Sequence, residues 1–561
     1  MSSFVRLFSA YFKHRPNMAL FLFCWAVGFF HILCSGPDYF FDMLNYHFYN
    51  PYAVLGGRIG TDIAPAGVHS YFSPTADFFY FIAFQLLAKW PYMLAFVSAV
   101  WYAVSLFFVL KIVRWFLPKE KNFLFTTAIP TLLFFFAPAI LTHGGYNTTD
   151  MSSTAPLLAS LYLTLSSRKL PASPRKNAFF ILAGILYGIT FAFKYTNAPL
   201  LAGYVIMFMF CFSSIKDFFK YGIFFTLGAL GSFALIGGYW CYKMYAMFGS
   251  PLFPFYNNLF HSPLFEPIAL VDKRFFIGKS LWEIMLLPFT FLFNQPMNTI
   301  EFRFRGISWL MYFAAICCWG KLLLGKQKKY FSAELRSGIG LLCIFFLSGY
   351  ILWLLLFSIF RYAMPLEAVG AILITVLLSV LPRRKYPLFF SGLLCGLFCF
   401  YGSILPQVKF FPKMNKILTA KGTREKRPEL MRENPPAIHK NSVVILQGWM
   451  LSYYIPFLSP SARYVGGLQP NLYHYPDVLS RLEIISTFSV GPDFFRHRFA
   501  PQVHQAIKEA KHVYVLMQDV SPQIFFHAPL THYGVQIRPD SCRWLSTPYI
   551  YSSILCEADK L

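Results

Sequence analysis

Side chains that could carry chemistry are concentrated in one stretch near the start of this sequence. Residues 37–74 read PDYFFDMLNYHFYNPYAVLGGRIGTDIAPAGVHSYFSP, and a connecting loop does not need this density of acids and imidazoles. Such groups serve as general acids and bases, or bind substrate hydroxyls. If DMLNYH is helical, Asp42, Asn45 and Tyr46 share one face. The stretch contributes the candidates Asp38, Asp42, Asn45, Tyr46, His47, Arg58, Asp62 and His69.

Two readings of the aspartates in this stretch stay open. Either could simply cap a helix in a structured loop. We take Asp42 as the catalytic candidate, in a solvent-accessible cavity, and Asp38 as structural.

A second acidic candidate lies in THGGYNTTDMSST, residues 142–154. Asp150 could cap the helix that follows, in competition with Thr149 or Ser152. It could equally act beside Asp42, by holding a metal ion or an acceptor hydroxyl. The sequence does not choose between these roles.

Cations form a third candidate set at the outward ends of apolar runs. An anionic partner such as a lipid phosphate would explain them, through charge-assisted hydrogen bonds. The alternative is that each side chain reaches a lipid headgroup. Arg361 is the hardest to explain in that way, because it lies between two apolar runs with Glu367 nearby. The set is Lys194, Lys243, Arg274, Arg303, Arg305 and Arg361.

The composition shows what must position these groups. The 561 residues are 57% hydrophobic and 13% charged, whereas soluble domains carry about 25% charged residues. The 67 phenylalanines suit lipid-facing helices. A net charge of +25 could indicate nucleic acid. The lysines and arginines lie in short clusters between apolar runs, however, so nucleic-acid binding is not expected.

The apolar runs predict an α-helical polytopic membrane protein with about eleven spans. One further run, residues 72–90, must not cross the bilayer, since otherwise every later basic cluster would change sides; we expect a re-entrant or interfacial helix there. The predicted spans are 18–35, 92–110, 123–141, 153–167, 178–193, 195–213, 221–243, 307–325, 337–359, 362–381 and 387–405.

The clusters of lysine and arginine in the short loops predict the orientation. One side of the membrane holds most of them, and the positive-inside rule makes that side, with the N-terminus, cytoplasmic. The loops 36–91, 142–152 and 244–306 then lie outside, as does everything after residue 405.

The C-terminal part of the chain has a different composition. After a membrane domain at 1–405, a basic linker at 406–440 leads into a polar segment at 441–561. SVVILQ at 442–447 and HVYVLMQ at 512–518 are typical of strands, with a helical stretch between them, so a small periplasmic α/β domain is expected. Cys542 and Cys556 lie in this segment, where an oxidising compartment would favour a disulfide. Independent thiols are the alternative.

The order of these motifs resembles the GT-C superfamily of polytopic membrane glycosyltransferases. That superfamily includes the protein O-mannosyltransferases and the lipid A aminoarabinose transferases. The resemblance rests on FFDMLNYHFYNPYAVLGGR after the first span, SYFSPTADFFY later in that loop, and GGYNTTD in the next outer loop. FKYTNAP, FGSPLFPFYNN and FRYAMPLE are similar to stretches in a bacterial subgroup. The paired acids of the family are absent, because Met43 follows Asp42.

The resemblance implies a bacterial inner-membrane enzyme that transfers a sugar from a polyprenyl-phosphate donor to a glycan, lipid or protein acceptor, with inversion. In this scheme Asp42 is the base or a metal ligand, and Asp150 positions the acceptor or shares a divalent cation. The donor phosphate is expected to bind Lys194, Arg274, Arg303, Arg305 and Arg361, and the acceptor Asn45, Tyr46, His47, Asp62 and His69. A lipid-linked glycan ligase or polymerase, and less so a flippase, are the alternatives.

Overall fold

The computed structural model describes residues 16–36, 38, 41–120, 122–265, 267–268, 280–291, 307–326, 329, 331–380, 437–448, 450–466, 492–518, 530, 533–545 and 553–561. Within these ranges six helical stretches are long and apolar enough to cross a bilayer: Pro16–Ser35, Pro91–Phe116, Pro174–Phe193, Ile215–Ile236, Ala333–Leu356 and Phe360–Val380. The chain is thus a polytopic α-helical membrane protein. The count of about eleven spans stays a prediction, and the expected span 387–405 lies outside the described residues.

The described α-helices are numbered in chain order. They are α1 (Pro16–Ser35), α2 (Tyr49–Leu55), α3 (Asp77–Leu87), α4 (Pro91–Ser98), α5 (Val100–Phe116), α6 (Ile129–Phe135), α7 (Pro138–His143), α8 (Asp150–Ser167), α9 (Pro174–Phe193), α10 (Ala198–Met209), α11 (Ile215–Ile236), α12 (Gly238–Phe248), α13 (Asn257–Phe260), α14 (Leu281–Thr290), α15 (Ser308–Leu324), α16 (Ala333–Leu356), α17 (Met364–Val380) and α18 (Pro492–Glu509).

The apolar run at 72–90 forms the short helix α3. Its 11 residues span about 16 Å at 1.5 Å per residue, about half of the hydrocarbon thickness. Its ring contacts are with Phe48, Tyr52 and Phe457. These properties favour the interfacial or re-entrant helix that the charge pattern requires.

The chain divides into two compact units, and neither is continuous in sequence. The helical unit takes Met1–Pro37, Tyr92–Ile236 and Phe275–Ile417, and the mixed unit takes Asp38–Pro91, Gly237–Arg274 and Leu418–Leu561. This division differs from the linear one expected, because Asp38–Pro91 groups with the C-terminal segment.

Small residues allow two helices of the helical unit to pack closely. Gly184 and Gly188, four apart on α9, face α11 so closely that an added Cβ would lie 2.0 Å from Phe225 O and 2.2 Å from Ala229 O. Ser232 Oγ of α11 donates to Ile185 O at 2.9 Å. Close backbone approach of this kind drives helix association in lipid, where apolar side chains gain nothing by leaving the acyl chains.

The centre of the helical unit is α17. Residues from Met364 to Leu378 on this helix are all buried. Trp309 and Tyr312 of α15 are also fully buried in this core.

The mixed unit contains a six-stranded sheet in the C-terminal segment. The strands are β1 (Ser442–Gln447), β2 (Arg463–Val465), β3 (His512–Gln518), β4 (Val535–Ile537), β5 (Arg543–Leu545) and β6 (Ser553–Lys560). The order is β2-β1-β3-β6-β4, with β5 also on β6; β2, β1 and β3 are parallel and the pairs with β6 antiparallel. The small α/β domain is confirmed, with both predicted strands in place as β1 and β3.

Candidate active site

Three predicted site residues meet at the start of α8. Asp150 opens that helix, Lys194 directly follows α9, and Arg361 lies in the 3₁₀ turn Phe360–Ala363 that leads into α17. Lys194 Nζ donates to Asp150 Oδ1 and, at 3.3 Å, to Thr148 O. Arg361 Nε lies 3.6 Å from Asp150 Oδ2. Thr148 Oγ1 donates to the same oxygen at 2.9 Å.

Burial makes the electrostatics of this cluster strong. Asp150 is 3% exposed and Arg361 6%. Burial by itself raises the pKa of Asp150, but the charges of Lys194 and Arg361 outweigh burial and hold that pKa below its ordinary value. The Tyr362 ring adds a cation–π contact, with its centroid 4.2 Å from Lys194 Nζ. The carboxylate therefore stays ionised, and the two cations are held at fixed positions.

These contacts limit what Asp150 can do chemically. A carboxylate with a lowered pKa is a poor proton acceptor, so it is better suited to hold Lys194 and Arg361 than to act as a base. A divalent cation fits badly, because each carboxylate oxygen already contacts a positive side chain. Among the described residues no group of three or more His, Cys, Asp or Glu side chains is arranged to hold a metal ion.

Glu367 has a larger role than its position in the sequence indicates. Its fully buried carboxylate accepts from Ala139 N at 2.9 Å, Ile140 N at 3.3 Å and Trp309 Nε1 at 3.1 Å. It thereby joins the segment that carries Arg361 to the short helix α7, which precedes Asp150. The sequence offered only one signal, an acid six residues after a cation inside an apolar run.

In the mixed unit, a π-helical turn follows Asp42. The turn spans Met43–His47 and all of its residues are buried. Such turns are often found at functional sites. Asp42 is 7% exposed and Asp38 9%, so the expectation of a solvent-accessible Asp42 is wrong for this structure.

Four of the five predicted acceptor-binding residues lie close together: Asn45, Tyr46, His47 and His69. Asn45 Nδ2 is 3.4 Å from His69 Nδ1, and the Tyr46 ring stacks on His69 with centroids 5.1 Å apart. His47 Nδ1 lies 2.8 Å from Asp77 Oδ1, with both side chains buried. The sequence does not indicate this pair, since thirty residues separate its members.

Asp62 is surrounded by internal partners. Arg58 forms a bidentate ion pair with Asp62, donating from Nε to Oδ2 at 2.7 Å and from Nη2 to Oδ1 at 2.6 Å. Tyr49 Oη donates to Oδ2 at 2.9 Å and Tyr464 N to Oδ1 at 2.9 Å. These are the contacts of a structural residue, and they replace the predicted acceptor contact.

The remaining predicted residues fall into three groups. Arg274, Arg303 and Arg305 lie outside the described residues. Asp42 and Asp150 belong to different units, so their joint action stays a prediction. Cys542 and Cys556 are joined as a disulfide, in keeping with the register that sets Arg543 opposite Leu555 in the neighbouring pair.

Comparison with known proteins adds information on the fold. No family model and no curated protein matches the sequence. The structure is similar to that of ArnT from Cupriavidus metallidurans bound to undecaprenyl phosphate, with a TM-score of 0.52 and 11% identity, over 96% of this chain and 97% of that chain. The apo state of the same protein gives a TM-score of 0.53 and 12% identity over 97% and 98%. The predicted fold class, a polytopic helical membrane protein with a small C-terminal α/β domain, is therefore confirmed: over 96% of its length this chain is similar in fold to ArnT.

Proposed function

We propose that this protein is a membrane glycosyltransferase that moves a sugar from a polyprenyl-phosphate donor to an acceptor hydroxyl. One observation carries the proposal: the fold agrees over 96% of the chain with a protein crystallised with undecaprenyl phosphate. The buried cluster of Asp150, Lys194 and Arg361 supports it, because a lipid-linked phosphate needs cations beside the bilayer.

Lys194 and Arg361 bind the phosphate of the donor in this proposal. Their charges act in a site that excludes water, where a hydrogen bond to phosphate is stronger than at a surface. Asp150 fixes both cations before the donor arrives, so little reorganisation is needed as negative charge builds on the leaving phosphate.

Asp42 is the proposed base. As the acceptor oxygen attacks the anomeric carbon, its proton passes to the carboxylate, and the bond from that carbon to the phosphate oxygen breaks. The products are the glycosylated acceptor and polyprenyl phosphate, with the configuration inverted. Asp42 suits this step better than Asp150, whose pKa the neighbouring cations hold low.

We propose the following orientation in the membrane. The N-terminus is cytoplasmic, and the first outer loop and the C-terminal domain lie in the periplasm, the side on which both acids are expected. Support comes from the positions of the basic clusters and from α3, which is shorter than a span.

Binding of undecaprenyl phosphate to the purified protein tests the donor site. We expect native mass spectrometry to detect the lipid on the wild type, and Arg361→Ala to weaken binding about tenfold or more, since a hydrogen bond to a charged group is lost. Arg175→Ala, which changes an exposed arginine on α9, is the control. Equal binding by Arg361→Ala and the control, or no binding by the wild type, would contradict the proposal.

Activity requires a second experiment. The protein is incubated with a panel of labelled undecaprenyl-phosphate sugars, and loss of the donor is followed with and without membrane lipid as acceptor. Consumption of at least one donor by the wild type, but not by Asp42→Asn, is the expected result.

A further inference from the structure

A β-bridge joins the first outer loop to the edge of the C-terminal sheet. Ile63 pairs in parallel with Val465 on the outer edge of β2. Ile63 N donates to Tyr464 O at 2.9 Å, and Gly466 N donates to Ile63 O at 2.9 Å. These two bonds give a geometrically defined junction, because main-chain hydrogen bonds have a fixed direction.

A buried arginine reinforces the junction. Besides its pair with Asp62, Arg58 donates from Nη1 to Pro460 O at 2.7 Å and from Nη2 to Ala462 O at 2.6 Å. Arg58 and Asp62 are each 6% exposed. The rigid fork of a guanidinium can make four such bonds at once, whereas an ammonium on a flexible chain cannot.

A second set of contacts reaches the turn beside Asp42. Ser452 Oγ donates to Asn45 O, a carbonyl within the π-helical turn Met43–His47. The Phe48 ring packs against Tyr453 and Phe457, with centroids 4.8 Å and 5.8 Å away. The segment that carries Asp42 is therefore held by the C-terminal domain immediately after that residue.

We propose that the C-terminal domain positions Asp42, with Arg58 and Ser452 as the positioning residues; the catalytic part of this inference rests on the proposed function. A base must be held within a fraction of an ångström of its working position, and a misplacement of about 1 Å can cost about a hundredfold in rate. Contacts with the C-terminal domain thus hold the segment 42–63 near both of its ends, at Asn45 and at Ile63. The domain is thus part of the active site rather than an appendage.

Hydrogen–deuterium exchange on the full-length protein in detergent tests the contact without any substrate. In Arg58→Lys, amides of residues 43–49 should exchange about tenfold faster or more, because that part of the loop can open locally. Strands β1 and β3 should keep their protection. Arg538→Lys is the matched control, since Arg538 also pairs with a carboxylate of this domain but is 55% exposed.

A milder variant covers the case in which Arg58→Lys does not fold. Ser452→Ala removes only the hydroxyl that donates to Asn45 O. The control Ser461→Ala removes the hydroxyl of an exposed serine nearby. Faster exchange at 43–49 in Ser452→Ala alone supports the proposal. Unchanged exchange there in both Arg58→Lys and Ser452→Ala overturns it.

Steady-state kinetics then distinguish a positioning role of Arg58 from a general effect on protein stability. Arg58→Lys should lower kcat about tenfold to a hundredfold, with a donor KM within about twofold of wild type. In an Asp42→Asn background, Arg58→Lys should lower kcat by less than about twofold. The two substitutions then act through the same carboxylate, which is already absent. An equal loss in both backgrounds overturns the positioning role. Full activity of Asp42→Asn instead refutes the proposed base, and the exchange result is unaffected.

Discussion

Replacing Asp150 by asparagine tests whether this carboxylate holds the two buried cations. The substitution keeps size and one acceptor oxygen but removes the charge that Lys194 and Arg361 both contact. Removing one partner of a buried ion pair costs about 3–5 kcal/mol, chiefly because the other charge stays buried. The Asp150 side chain is 2% exposed, so water cannot compensate, and we expect Asp150→Asn to destabilise the protein by about 3 kcal/mol.

The assay is equilibrium unfolding in mixed detergent micelles, followed by tryptophan fluorescence. Glu334→Gln is the control, because Glu334 forms a surface pair with Lys169 at 3.9 Å and is 66% exposed; a change below about 0.5 kcal/mol is expected there. The double variant Asp150→Asn with Lys194→Met should lose less than the sum of the single losses, by about 1–3 kcal/mol. Additive losses, or an Asp150→Asn protein as stable as the control, would refute the reasoning.

The contribution of Asp150 to stability should depend on pH. The pKa of Asp150 is lower in the folded protein than its ordinary value, so its stabilising contribution is complete above about pH 4, near the pKa in the unfolded chain. This contribution is lost as the pH falls through the lower folded pKa. In acid, the free energy of unfolding of the wild type should therefore approach that of Asp150→Asn. A difference between the two proteins that stayed unchanged down to about pH 2 would contradict this assignment.

Three further predictions concern other parts of the molecule. Asp42→Asn should lower sugar transfer about a hundredfold or more, whereas Asp38→Asn should cost far less; the opposite order would mean that the wrong acid was chosen. Mass spectrometry of non-reduced peptides should find Cys542 linked to Cys556, and two free thiols would disprove the bridge. A reporter fused after Lys176 should face the cytoplasm and one at the C-terminus the periplasm; the same compartment for both would contradict the orientation.

The sequence alone determined the class of the protein and much of its local structure. Long apolar runs predict helices that cross a bilayer, since a buried backbone must satisfy its own hydrogen bonds. The strands at 442–447 and 512–518 could also be predicted from the sequence, because short apolar runs are local signals. The order of the motifs indicated the fold, and the concentration of acids indicated the loop that carries the candidate base.

Only the tertiary structure decided which of these residues meet. Lys194 lies 44 residues from Asp150, and Arg58 lies 404 residues from the carbonyl of Ala462 that it binds. Composition and periodicity report only on neighbours along the chain, so they could not place Asp62 in a structural ion pair. Asp62 and Asp150 are both aspartates in segments between apolar runs. Asp62 contacts one arginine and the edge of a sheet, whereas Asp150 contacts two buried cations. These different partners result from the packing of segments that are distant in sequence.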